Sequence, residues 1–155
     1  MERQESALLV DPDTERARSL QSLCESAGLS CQVFPDGESA LAAIQQSDSA
    51  AVLLTQLTVP RADAFEVIAQ FRRRFPTGSG ARVIALSSFA DLRDTAMAQR
   101  DALGIDHVLN NQLPAELIKR ILRSAAPQVP LATLRVALSL VDLGDAIAAL
   151  PAGLD

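Results

Sequence analysis

Five short apolar runs recur along the chain, separated by stretches whose apolar residues return every three or four positions. The runs are Ala7-Leu8-Leu9-Val10, Ser30-Cys31-Gln32-Val33-Phe34, Ala51-Val52-Leu53-Leu54, Val83-Ile84-Ala85-Leu86 and His107-Val108-Leu109. A strand that is apolar at successive positions has both faces covered, which is the condition of a parallel sheet layered with helices. The stretches between the runs have the helical period and the right punctuation. Asp11-Pro12-Asp13 opens the first helix, with Asp11 as N-cap, and its inner face is Ala17, Leu20, Cys24 and Ala27 before Gly28. Asp36 caps a second helix over Ala40, Leu41 and Ile44. A third carries Phe65, Ile68, Phe71 and Phe75 and stops before Pro76. Ser88 with Asp91 reads as a capping-box variant for a fourth helix that runs to Leu103, stopped by Gly104. Pro114 starts a fifth helix bearing Leu117, Ile118, Ile121 and Leu122.

Strand and helix in alternation predict an α/β fold: a five-stranded parallel sheet of order 2-1-3-4-5, flavodoxin-like, with an extra C-terminal helical segment. In such a sheet the functional residues sit at the carboxyl ends of the strands. Here these are Asp11 to Asp13, Thr55 to Pro60, Leu86 to Ser88 and Leu109 to Gln112. A length of 155 residues with 48% apolar content fits one packed domain, residues 1–125, plus an extension or linker over 126–155.

Charge and rare residues narrow the function. The net charge is −5, and nucleic-acid binding needs clustered Lys and Arg, so no nucleic-acid partner is expected. His107 is the only histidine, which excludes a His-rich zinc centre. The polar start Met1-Glu2-Arg3-Gln4-Glu5 precedes no apolar signal segment, and Leu131–Val141 is too short to span a membrane. A cytoplasmic protein with reduced thiols at Cys24 and Cys31 is expected, and a disulfide between them is the alternative.

The order and spacing of Leu8-Leu9-Val10-Asp11, Asp36-Gly37-Glu38-Ser39-Ala40-Leu41, Val52-Leu53-Leu54 with Pro60 and Asp63, Val83-Ile84-Ala85-Leu86-Ser87, and Gly104-Ile105-Asp106 carry a resemblance. From about Ala7 to Arg123 the chain resembles the receiver domain of bacterial two-component response regulators. The resemblance implies phosphoryl transfer to an aspartate ending strand 3. It also implies Mg²⁺ held by acids from strands 1 and 3, a hydroxyl after strand 4, and a lysine after strand 5. Metal and cation together offset the anionic oxygens in such a transfer.

Position by position, the chain departs from that pattern. The acceptor position is Gln56, and a neutral amide forms no acyl phosphate. The acidic pair after strand 1 is reduced to Asp11 followed by Pro12. The lysine position is Asn111, the aromatic switch position is Val108, and only the hydroxyl, Ser87, matches. A degenerate, non-enzymatic pseudo-receiver is expected, with no catalytic residue, metal or cofactor. Two alternatives stand beside it: a small-molecule sensor using the vacated pocket around Asp11, Gln56, Ser87 and Asn111, and a receiver phosphorylated on a displaced acid such as Asp13.

Plainer roles are open for several of these groups. Asp11 serves as an N-cap, and Gln56, Thr55 and Thr58 satisfy one another and the loop. Ser87 and Ser88 lack the Gly-x-Ser-x-Gly setting of a hydrolase nucleophile. Gly78-Ser79-Gly80 is a linker, because no Lys-Ser/Thr follows it. Arg72-Arg73-Arg74 reads as a solvated face complementing the helix dipole, or else as a partner patch. His107 reads as a surface or satisfied strand residue.

The tail from Leu131 to Leu143 is apolar nearly all round and requires burial. Four such leucines are worth roughly 6–12 kcal/mol before entropy costs, enough for a dimer or for docking. Leu131, Leu134, Leu138 and Val141 are the interaction candidates, and folding back on the same domain is the alternative. The expected partners are proteins: a second copy, a signalling protein, or an output domain downstream.

Overall fold

The computed structural model describes residues 5–124. Leu131, Leu134, Leu138 and Val141, and with them the tail expectation, lie outside the described residues. The elements alternate as expected: β1 (Glu5–Val10), α1 (Thr14–Ser26), β2 (Leu29–Phe34), α2 (Gly37–Gln46), β3 (Val52–Gln56), α3 (Ala64–Arg74), β4 (Arg82–Ser87), α4 (Ala90–Ala98), α5 (Arg100–Leu103), β5 (His107–Asn110) and α6 (Ala115–Arg123). The five strands form one sheet of order β2-β1-β3-β4-β5, and every adjacent pair is parallel.

Alternation along each strand splits the core in two. Leu8, Val10, Leu53, Val83 and Ala85 pack with Ala40 and Ile44 of α2 and with Val67, Ile68 and Phe71 of α3. Ala7, Leu9, Leu54, Ile84 and Leu86 pack on the other side with Ala17, Leu20 and Cys24 of α1 and Ile118 and Leu122 of α6. Because β3 and β4 are buried at every position, both of their faces must be apolar, which is what the unbroken runs encoded.

Local chemistry sets the helix ends, and three sequence expectations need correction. The N-cap of α1 is Asp13, whose side chain accepts from the Arg16 N–H at 3.0 Å; Asp11 stands two residues earlier, directly after β1. The Ser88–Asp91 capping box does not form. Phe89 stands at the cap with no side-chain bond, and its own N–H donates to Ser87 Oγ at 3.0 Å. The single helix expected up to Leu103 is broken at Gln99 into α4 and α5. Gly104 ends α5 in the left-handed conformation, φ 73°, as a C-cap glycine does.

Two arginines read as solvent-facing or left unremarked are structural. Arg72 is not part of a solvated face: its guanidinium donates to the carbonyls of Gly104 (2.8 Å), Phe75 (3.1 Å) and Ala81 (2.9 Å) and pairs with Asp106 at 2.8 Å. Asp106 also accepts the Val83 N–H at 2.8 Å, so this ion pair ties α3 to the start of β4 and to the approach to β5. Arg82 is buried at the other end of its strand's register with α6, donating to the carbonyls of Ile121, Leu122 and Ser124. A cation on those orphan carbonyls satisfies them and opposes the helix dipole.

Candidate functional site

The carboxyl ends of the strands bring the singled-out residues to one edge of the sheet. Asp11 follows β1, with its N–H on the Phe34 carbonyl at 3.0 Å. Gln56 ends β3 opposite Leu86, Ser87 ends β4 opposite Asn110, and Asn111 follows β5. Asp11, Gln56 and Ser87 are each 3% exposed or less, so any polar atom there needs a partner.

Gln56 and Asn111 supply each other's partners. Gln56 Nε2 donates to Asn111 Oδ1 at 2.8 Å, and Asn111 Nδ2 donates to Gln56 Oε1 at 2.9 Å. This reciprocal amide pair closes the gap between the ends of β3 and β5 across β4. The second Asn111 Nδ2 proton goes to Ser88 Oγ at 2.9 Å, which draws in the β4–α4 turn. Ser88 therefore serves this cluster and not a capping box. Thr55 Oγ1 turns back to the Gln56 carbonyl at 2.9 Å.

Asp11 is engaged separately. Arg16 reaches back from the first turn of α1 and meets the carboxylate with two nitrogens: Nε to Oδ2 at 2.7 Å and Nη2 to Oδ1 at 2.8 Å. Oδ1 also accepts the Asp13 N–H at 2.9 Å. The Asp11 side chain is wholly buried and Arg16 is one-third exposed, so the guanidinium plugs the carboxylate from the solvent side. The Asp11 carboxylate holds the Arg16 guanidinium above its ordinary pKa, chiefly through that bidentate bond. Pro12 makes the step from strand to cap. It has no side-chain donor or acceptor.

As a divalent-cation site this donor set does not fit. A hard cation takes about six oxygens, whereas Asp11 offers both of its oxygens to Arg16 and Gln56 offers its one to Asn111. Among the described residues no group of three His, Cys, Asp or Glu side chains is placed to hold a metal.

Val108 lies on β5, partly buried against the α2–α3 side of the core, where it packs as an ordinary core residue. His107, one position earlier, is neither a surface nor a satisfied residue: its Nδ1 is buried without a hydrogen-bond partner. Burial pushes its pKa down to about 4, with Arg82 and Arg100 adding to the effect and Asp106 opposing it. The β3–α3 loop has Arg61 at φ 63° and Ala62 at φ 156° and lies against the start of α2. Gly37 donates its N–H to the Pro60 carbonyl at 2.9 Å, and a Cβ there would stand 2.7 Å from Ala62 Cβ. Only glycine permits that approach.

Arg16 is not among the site residues the sequence singles out, whereas Ser88 is, at the end of strand 4. An arginine in a first helical turn has many readings, and its partner became visible only once Asp13 took the cap and freed Asp11. For Ser88 the strand-end position holds and the capping role does not.

No protein-family model matches the chain, and no curated protein matches it. Solved structures do. A CheY-like response regulator receiver domain protein from Methanospirillum hungatei JF-1 superposes with a TM-score of 0.66 at 20% identity, over 79% of this chain and 97% of that one. The chain has the receiver fold. The signal receiver domain of an HD domain-containing protein from Pseudomonas fluorescens Pf-5 gives 0.68 at 20% identity, over 79% and 94%. A structure described as adenylate cyclase from Rhodopirellula baltica gives 0.68 at 24% identity, over 91% and 97%. At these identities the likeness establishes the receiver fold and leaves the chemistry to the residues. Among the described residues no helix is long and apolar enough to cross a membrane.

Proposed function

We propose that this chain is a pseudo-receiver: a non-enzymatic cytoplasmic signalling module that works through protein contacts and needs no phosphorylation cycle. The observation that carries the reading is the reciprocal Gln56–Asn111 pair at the strand ends. In the family pattern an acceptor aspartate and a lysine stand at these two positions, so here a charged pair is replaced by a neutral one. Gln56 has no oxygen nucleophile for phosphorus, and Asn111 brings no charge to steady a phosphoryl group. The remaining acid, Asp11, is neutralised inside the fold by Arg16 in place of a metal.

Binding is then the remaining route to an output. Phe89 is 60% exposed and Met97 42%, and both belong to the α4 region. Large exposed apolar side chains grouped on one element suit a protein contact. Self-association through the α4–β5–α6 face, or through the tail segment with Leu131, Leu134, Leu138 and Val141, fits a homodimer.

Two measurements test this. Treating the intact chain with acetyl phosphate, or with beryllofluoride, in the presence of Mg²⁺ is expected to change neither its mass nor its amide NMR spectrum. A stable adduct or a concerted set of peak shifts refutes the proposal and points to a displaced acid such as Asp13. Light scattering on the intact chain and on one ending at Ser124 addresses assembly: a dimer that becomes monomeric on truncation assigns contact to the tail, and a monomer in both removes the dimer. The satisfied amide pair gives the small-molecule-sensor alternative no specific support, because its polar groups already bond to one another.

A further inference from the structure

Helix α1 and the edge strand β2 carry the chain's two cysteines, neither of which the proposed signalling role uses. Cys24 is fully buried on the inner face of α1, and Cys31 is partly buried on β2. Both belong to the same apolar cluster on that side of the sheet. Gln21, three residues before Cys24, donates its side-chain amide to the Cys31 carbonyl at 3.1 Å, which pins helix to strand at this level. Both thiols are free, and Cys31 stands in register with Ala7, which is buried in the same cluster as Cys24.

We propose that Cys24 and Cys31 form a reversible oxidation site, in which a hydroperoxide oxidises Cys31 and Cys24 then closes an intrachain disulfide joining α1 to β2. The division of labour follows from the surroundings. The S–H bond from Cys24 favours the thiolate at Cys31 and holds its pKa below the ordinary thiol range. The same bond, with burial, pushes Cys24 far up, so Cys24 keeps its proton. The thiolate is the reacting form, and Cys31 is the less buried of the two residues.

The step balances without a cofactor. The Cys31 thiolate attacks one peroxide oxygen, the O–O bond breaks, and Cys31 becomes a sulfenic acid while hydroxide (or alkoxide) leaves with the electron pair. Cys24 sulfur then attacks Cys31 sulfur, the S–O bond breaks, and the Cys24 proton departs with that oxygen as water. Two thiols are oxidised and one peroxide is reduced. A disulfide needs its sulfurs about 2 Å apart, so closure asks for an approach of two side chains that pack in one apolar cluster between α1 and β2.

The test uses the full chain and hydrogen peroxide. Oxidation is expected to lower the intact mass by two hydrogens, about 2 Da, and to block both cysteines against alkylation. Digestion is expected to yield the Cys24 and Cys31 peptides joined, and dithiothreitol to restore both thiols. In Cys24→Ser the sulfenic acid on Cys31 has no partner and should label with dimedone. In Cys31→Ser the Cys24 thiol should react with peroxide at least about tenfold more slowly than Cys31 does in the unaltered chain, since Cys24 is wholly buried away from solvent peroxide. The idea is overturned by disulfide-linked dimers through Cys31, by one-oxygen or two-oxygen adducts on Cys31 with Cys24 still alkylatable, by equal reactivity of Cys31→Ser, or by no reaction. Peptide mapping on the unaltered chain stands even if a variant folds poorly.

Discussion

Replacing Asn111 with leucine breaks the strand-end pair and, with it, the Asn111–Ser88 bond. The substitution keeps volume and removes both the donor and the acceptor that face Gln56. Gln56 is 3% exposed, so its NH₂ and its carbonyl are left buried and unpaired. Each orphaned group costs about 1–3 kcal/mol, which brackets the total at about 2–6 kcal/mol. Asn111 itself is only partly buried, so water reaches one side of the pair and the loss belongs at the low end, about 2–3 kcal/mol. Gln56→Met removes the same two bonds from the other side. The orphans are then on Asn111, which keeps Ser88 and meets solvent, so about 1 kcal/mol is expected. The double variant orphans nothing on Gln56 and should cost about 1 kcal/mol as well, which puts the coupling at about 2 kcal/mol. The chain contains no Trp or Tyr, so the assay is urea unfolding followed by far-UV circular dichroism, with unchanged m-values required. An Asn111→Leu loss under about 0.5 kcal/mol, or a double variant equal to the sum of the singles, refutes the claim that the two amides satisfy each other.

Three further outcomes are expected. Arg16→Ala leaves the buried Asp11 carboxylate without its cation; because Arg16 is one-third exposed, the cost is at the low end for a broken buried pair, about 2–3 kcal/mol by thermal melting, and adding Asp11→Asn should recover most of it. His107 is held neutral, with its pKa lowered to about 4 beside Asp106, Arg82 and Arg100. The unfolded chain therefore binds more protons between pH 6.5 and 4, so stability is complete above pH 6.5 and falls as pH drops through that window, by at most about 3 kcal/mol. His107→Val should flatten that slope, and a slope unchanged in the variant assigns it elsewhere. Gly104→Ala forces a side chain into φ 73° and sets its Cβ 2.8 Å from Arg72 Nε and Thr77 Oγ1. A loss of about 2–4 kcal/mol in urea is expected, since left-handed strain and a displaced Arg72 add.

Sheet order and helix positions were legible because they follow from periodicity within windows of a dozen residues. Ala51-Val52-Leu53-Leu54 could be nothing but a strand covered on both faces, and Asp36 and Gly104 punctuate helices by local backbone chemistry. What escaped depends on partners far along the chain. Gln56 and Asn111 are 55 residues apart, and nothing near either names the other. Arg82 looks like the polar flank of a strand until α6 ends over it, 39 to 42 residues later. The same holds for Arg72, whose place beside two arginines on a helix terminus suggested solvent, while Asp106 and three carbonyls claim it. Asp11 and Asp13 were one decision: both suit a cap, only one can take it, and the choice turns on where strand β1 leaves the sheet.

On the proposed reading, the departures at the strand ends are energetically linked and not a list of separate losses. A carboxylate at the Gln56 position would sit 3% exposed, opposite a neutral Asn111, with the Arg16 guanidinium already committed to Asp11 and Arg93 to the Ser87 carbonyl. A lysine at Asn111 opposite Gln56 would bring an ammonium to an amide that cannot neutralise it. The step at Gln56 thus buries an unpaired charge, at a cost of several kcal/mol, while the step at the partly buried Asn111 removes the amide that satisfies Gln56. The neutral pair and the internal ion pair, taken together, leave no such charge. Once Gln56 and Asn111 are both amides, the pair is favoured over either half-restored state, and Arg16 gives Asp11 a counter-ion that no change in solution composition can withdraw. A site built this way has its electrostatics fixed by the chain itself, which is the physical basis for expecting control by protein contact.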